Sequence, residues 1–159
     1  IDLFHEKKYF DQQVYVFEEQ IKLALENNLP IVIHSRDSFD EIYEVLKKFK
    51  SDTLRGIFHC FTGDKQQAKK IIDLNFYLGI GGVVTFKNGK ISEFLNSIPI
   101  ERIVLETDSP YLAPSPYRGK RNESSYIKII AEKIADLYNI NLAEVSKITK
   151  KNSLDIFGN

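Results

Sequence analysis

The sequence predicts an α/β fold built on a parallel sheet, and three observations carry that prediction. Four short apolar runs, rich in β-branched and aromatic residues, alternate with segments of helical periodicity. Each run is apolar at successive positions, as parallel strands covered on both faces require. The connections are short, which favours right-handed βαβ units. A doubly wound open sheet and a (β/α)8 barrel share these features, and periodicity does not separate them.

Residues 11–28 open the pattern, with Val14, Phe17, Ile21, Ala24 and Leu25 at the spacing of one helix face. Asn27, Asn28 and Pro30 mark a turn that feeds the first strand, 31–34. A second helix is expected over 37–50, its stripe formed by Phe39, Ile42, Tyr43, Leu46 and Phe49. The second strand is expected over 56–61, followed by a shorter helix over 64–74 and a third strand over 76–82. Gly79, Gly81 and Gly82 end that strand without the spacing of a dinucleotide-binding fingerprint. A short helix over 90–97, a turn at Ser97 and Pro99, and a fourth strand over 102–108 come next. Helices over 123–138 and 142–151 close the order, the last opened by Asn141 with Glu144 three residues on.

Composition narrows the function classes. Lys plus Arg and Asp plus Glu number 22 each, so no global charge draws the chain to nucleic acid. Attraction to an anionic substrate must then come from a local basic patch. A single cysteine, Cys60, excludes an internal disulfide and fits a reducing, cytoplasmic compartment. No apolar stretch approaches the roughly 18 residues of a membrane span, and the mixed, charged first residues do not form a signal peptide. Methionine is absent and the chain opens at Ile1 in mid-pattern, so a piece of a longer protein is expected.

The polar residues at strand ends point to chemistry. His34 ends the first run, His59 lies near the end of the second, and Asp108 ends the fourth. Parallel strands deliver their C-terminal ends to one face, so three distant residues converge there. Imidazole and carboxylate are ligands for zinc, manganese and similar ions. Taken singly, each has a plainer reading: a hydrogen-bonded structural histidine, or a helix N-cap aspartate. Ser35, Arg36 and Asp37 offer a cap beside His34, and Arg36 is either a solvated cation or an anion-binding one. Thr62, Gly63 and Asp64 similarly open a helix after the His59 strand, where a plain cap is favoured over backbone N–H groups facing a phosphate. After Asp108, a proline-rich loop leads to Arg118, Lys120 and Arg121. Arg118 is favoured for substrate phosphate, because its planar fork of donors suits that group.

Four stretches carry a resemblance: 33–37 around His34 and Arg36, 59–63 from His59, 106–112 around Asp108 and Tyr111, and 116–122 around Arg118. In order and spacing they resemble successive signatures of the TatD family of metal-dependent deoxyribonucleases, with residues 142–157 similar to that family's terminal helix. The resemblance implies an α/β fold that is the second half of a TIM-type (β/α)8 barrel, strands five to eight, with residues 1–159 as one partial domain. A barrel of roughly 250 residues would then lack its N-terminal strands, including a His-x-His pair and a Glu that the family pattern requires. His34, His59 and Asp108 would be metal ligands for one or two divalent ions (Zn, Mg or Mn), and Asp108 would also be catalytic. Arg36, Arg118, Arg121 and Tyr111 would bind substrate, with Tyr111 and Phe61 able to stack a terminal base, although a core role is favoured for Phe61. The implied activity is cleavage of DNA phosphodiesters, as an exonuclease acting on single-stranded or frayed ends, without a membrane or an obligate protein partner. The alternatives are a related barrel acting on another ester or amide, and an inert fragment. His5 is expected to be exposed rather than a ligand.

Overall fold

The computed structural model describes residues 1–5 and 7–158. Nine elements of regular structure order the described residues: α1 (Phe10–Glu26), β1 (Ile31–Ile33), α2 (Phe39–Lys48), β2 (Gly56–Phe58), α3 (Lys65–Asp73), β3 (Phe76–Ile80), β4 (Ile103–Leu105), α4 (Ile127–Tyr138) and α5 (Leu142–Phe157). The strands pair in parallel in the spatial order β1-β2-β3-β4. Chain order and spatial order coincide, so every C-terminal strand end lies along one rim of the sheet.

Side-chain alternation divides the sheet into two unlike faces. Ile33, Phe58, Phe76, Leu78, Ile80 and Ile103 point into the main core, where they meet Ile42, Ile71 and Ile130 from the helices. Phe58 and Phe76 are fully buried and meet edge to face at 5.9 Å. Burying each stabilises the fold by about 1.5–3 kcal/mol. On the opposite face Ile57 and Val104 cluster with Ile156 from the end of α5, and Tyr77 packs beside them. Val32 is 59% exposed there, so the second face is covered beneath β2–β4 and open at β1.

Local chemistry sets the element ends. Asp64 caps α3 through a full capping box: its Oδ1 accepts from the N–H groups of Gln66 and Gln67 at 2.8 Å, and Gln67 Oε1 accepts from Asp64 N–H at 3.1 Å. Asn141 Oδ1 accepts from Glu144 N–H at 2.9 Å and opens α5. Neither Ser35 nor Asp37 caps α2. The N-cap is Ser38, whose hydroxyl instead donates to the Ile1 carbonyl at 2.6 Å. The helix expected over 90–97 is two 3-10 turns, Lys90–Glu93 and Leu95–Ser97. There the Ser92 and Ser97 hydroxyls donate to the carbonyls of Gly89 and Phe94, an alternative to helix continuation.

The expectation of the second half of a TIM-type (β/α)8 barrel is corrected by this architecture. The described residues form an α/β unit whose four parallel strands lie side by side in an open sheet. One face is packed by helices, and the C-terminal helix returns to cover part of the other. Strand–helix alternation with short connections is common to both architectures, so the periodicity alone did not discriminate. No helix among the described residues is long and apolar enough to cross a membrane.

Candidate functional site

The C-terminal rim gathers the site. Continuing the alternation of Ile57 and Val104 by two residues places His59 and Glu106 on the second face of the sheet, just beyond β2 and β4. His59 N–H donates to the Ile33 carbonyl at 2.9 Å, which extends the β1–β2 ladder to His59 itself. The ring of His59 meets a carboxylate on each side. Its Nδ1 lies 3.0 Å from Glu106 Oε2, and its Nε2 lies 3.4 Å from Asp108 Oδ1. The second Glu106 oxygen, Oε1, accepts from the Cys60 N–H.

Electrostatics follow from this geometry. The hydrogen bond to Glu106 raises the His59 pKa above its ordinary value, partial burial opposes it, and the charges of Glu106 and Asp108 add to the rise. Burial pushes the neighbouring Cys60 thiol up to about 12, with the same two carboxylates contributing. Asp37, Cys60, Asp108 and Leu112 all adopt positive φ, between 47° and 57°, at or near this rim. Non-glycine residues in that region carry backbone strain, and such residues concentrate at functional sites.

His34 stands apart from this pair. It follows β1 on the same rim, but its side chain is 57% exposed and its Nε2 lies 3.4 Å from Asp2 Oδ2. Asp2 also accepts from His5, whose Nδ1 is 2.7 Å away and whose side chain is 62% exposed. Desolvation alone would raise the Asp2 pKa, but hydrogen bonds from His5 and His34 outweigh it and hold the carboxyl below its usual range. Among the described residues no group of three or more His, Cys, Asp and Glu side chains forms a ready metal cage. Two of the three expected donors, His59 and Asp108, are therefore brought together, and the third is not. Their chemistry fits a divalent cation: an imidazole with its rear nitrogen held by a carboxylate, and a second carboxylate at its front.

The expected substrate residues divide. The Arg118 guanidinium stacks on Phe86 at 3.9 Å from the ring centroid, braced against the loop that follows β3. Tyr117 stacks on Tyr126 at 4.5 Å, which holds the segment carrying Arg118. Tyr111 is 71% exposed, and Arg121 is exposed beside Ser109 and Pro110. Arg36 is exposed and stacks on Phe4 at 4.1 Å, next to the parallel bridge between Asp2 and Arg36. Phe61 is buried in the main core and also lines the cleft beside His59. A cleft of about 400 Å³ lies between the loops after β1 and β2, lined by Asp37, Asp40, His59 and Thr62 among others.

Sequence reasoning missed Glu106, Phe86 and Asn122. Glu106 stands two residues before Asp108, and the two-residue alternation from Val104 was the signal for its orientation. Asn122 is buried, and its Nδ2 donates to the carbonyls of Thr107 and Tyr111 at 2.6 Å, tying the loop after Asp108 to its own base. Nothing in its local pattern marks that role.

Comparison with known proteins bears on this geometry. The family model described as TatD related DNase matches residues 1–158. The uncharacterized metal-dependent hydrolase YabD of Bacillus subtilis is 45% identical over 99% of this chain and 62% of its own length. The uncharacterized metal-dependent hydrolase YcfH of Escherichia coli K12 is 36% identical over 89% of this chain and 54% of its own. The crystal structure of YJJV, a TATD homolog from Escherichia coli K12, superposes on 100% of this chain and 61% of its own, with a TM-score of 0.93 and 26% identity. The chain thus spans between half and two thirds of the length of these proteins. The match over residues 1–158 and the superposition over the whole chain also overturn the half-barrel expectation: the α/β unit of four parallel strands is what matches.

Proposed function

This chain belongs to the TatD related DNase family, and from that premise we propose that it contributes the site of a metal-dependent hydrolase that cleaves DNA phosphodiesters. The observation that carries the reading is the His59–Asp108 pair at the strand rim, 3.4 Å apart, with Glu106 behind the imidazole. His59 Nε2 and Asp108 Oδ1 would hold a divalent cation, with His34 recruited from the adjacent strand end. When bound, the cation supplies Lewis acidity that acidifies water and polarises a phosphoryl oxygen. Asp108 orients the attacking water and accepts its proton at a carboxylate oxygen. Arg118, held flat on Phe86, neutralises charge that builds on the non-bridging oxygens. Arg121 and Arg36 extend the cationic contact, and exposed Tyr111 offers a stacking platform for a terminal base, worth about 1–3 kcal/mol. A stacked terminal base and an unpaired strand favour exonucleolytic action on single-stranded or frayed ends.

The test is Asp108→Asn in the intact protein, assayed on a single-stranded DNA oligonucleotide with added Mn²⁺. Loss of the proton acceptor lowers kcat by about 10²–10⁴-fold. A variant within about tenfold of the native rate contradicts the assigned role.

A further inference from the structure

We propose that Glu106 is the positioning residue for His59, and that position 79 is glycine because the Glu106 carboxylate must cross β3 to reach that ring. The inference rests on the reading of His59 as a cation ligand.

Glu106 and His59 belong to strands that are not neighbours. β3 lies between β2 and β4, so the two residues are separated by two strand spacings, about 9.5 Å. The register sets Phe58 against Leu78 and Gly79 against Val104, which puts Gly79 directly in the path on the face that His59 and Glu106 share. A Cβ at position 79 would lie 2.6 Å from Glu106 Oε2 and 2.9 Å from its Cδ. Any side chain there displaces the carboxylate. A glycine inside a strand costs backbone entropy and forfeits packing, and its usual explanation is close approach of another group. Here the group is the Glu106 carboxylate.

What the carboxylate does on arrival is twofold. One oxygen faces His59 Nδ1 and the other accepts the Cys60 N–H, at a residue whose φ is +47°. Nδ1 has the closer acceptor, Glu106 at 3.0 Å against Asp108 at 3.4 Å from Nε2, so the neutral His59 ring keeps its proton on Nδ1 and leaves the Nε2 lone pair for a cation. Carboxylates behind ligating histidines fix the tautomer and the ring plane in this way. Pinning the turn at Cys60 alone would be a structural role, and the two roles separate in Glu106→Gln. The glutamine oxygen still accepts from Cys60 N–H, but its NH₂ then faces Nδ1 and forces the proton onto Nε2, towards the cation.

The experiment reads the His59 tautomer by ¹⁵N NMR on metal-free intact protein, at a pH high enough that the ring is neutral, and Mn²⁺ affinity by calorimetry. Expected for Glu106→Gln are native-like folding by circular dichroism, conversion of His59 to the Nε2–H tautomer, and Mn²⁺ affinity lowered about 10–100-fold. Gly79→Ala changes no polar atom and is expected to lower the Nδ1–H population and Mn²⁺ affinity in the same direction. It serves as the deciding variant if the glutamine protein does not fold. Retention of the Nδ1–H tautomer in either folded variant overturns the proposal, as does Mn²⁺ affinity within about twofold of native. A His59→Ala protein that binds Mn²⁺ as tightly as the native one overturns the metal reading instead, and the tautomer, read without metal, still decides the positioning role.

Discussion

His59 and Cys60 are adjacent in sequence, and both hold a proton more tightly than usual beside the same carboxylate. Glu106 and Asp108 favour a proton on the imidazole, and together with burial they disfavour loss of a proton from the thiol. Thiolate is the reactive form of cysteine, so a thiol whose pKa is pushed up to about 12 is inert at neutral pH. Iodoacetamide at about pH 8 is expected to leave Cys60 unmodified in the folded protein while alkylating it readily in urea. Equal rates in the two states contradict the environment described. The sequence placed His59 and Asp108 at strand ends, and that much was legible from apolar runs that stop at polar residues. Glu106 was printed in the same motif, yet its partner lies 47 residues away across an intervening strand. No local pattern encodes a contact that depends on register across three strands.

At the scale of elements, centres were legible and ends were not. All four strands and the helices over Phe39–Lys48 and Lys65–Asp73 fall inside the segments that periodicity marked, and the helix over Phe10–Glu26 begins one residue before its segment. Capping at Asp64 and Asn141 followed from residue type. The 90–97 segment failed because serine hydroxyls compete for carbonyls at each turn, a choice that periodicity does not register. The loop from Thr107 to Asn122 carries Tyr111, Arg118 and Arg121, the residues proposed to contact substrate. Asn122 Nδ2 satisfies the Thr107 and Tyr111 carbonyls, its Oδ1 accepts from Glu123 N–H at 2.8 Å, and Thr85 Oγ1 accepts from Ser115 N–H at 2.8 Å. Asn122→Ala leaves the Thr107 and Tyr111 carbonyls and the Glu123 N–H without their partner and is expected to cost about 1–3 kcal/mol in urea denaturation. It should also raise KM for the oligonucleotide, because Tyr111 and Arg118 leave the same loop. A loss below about 0.5 kcal/mol, the range of ordinary surface changes, contradicts the role of Asn122 as the loop's anchor.

For the molecule as a whole, the parallel sheet is what turns remote residues into a site. Strands in the order β1-β2-β3-β4 bring the segments beginning at His34, His59 and Asp108 to one rim, although 74 positions separate the first from the last. The convergence of His59 with Asp108 follows from that topology, and so does the stacking of Arg118 on the loop after β3. The fold class was legible as α/β with a parallel sheet. The barrel expectation was not upheld, because alternation and connection length are blind to how a sheet ends. The basic character of the loop after Asp108 was legible in Arg118, Lys120 and Arg121 although the net charge is zero. The central claim is that His59 and Asp108 jointly hold a divalent cation, and calorimetric titration of chelator-stripped intact protein with Mn²⁺ tests it most directly. Both His59→Ala and Asp108→Ala are expected to weaken binding by more than about tenfold while leaving the fold unchanged by circular dichroism. Native affinity and stoichiometry in both variants would contradict the account.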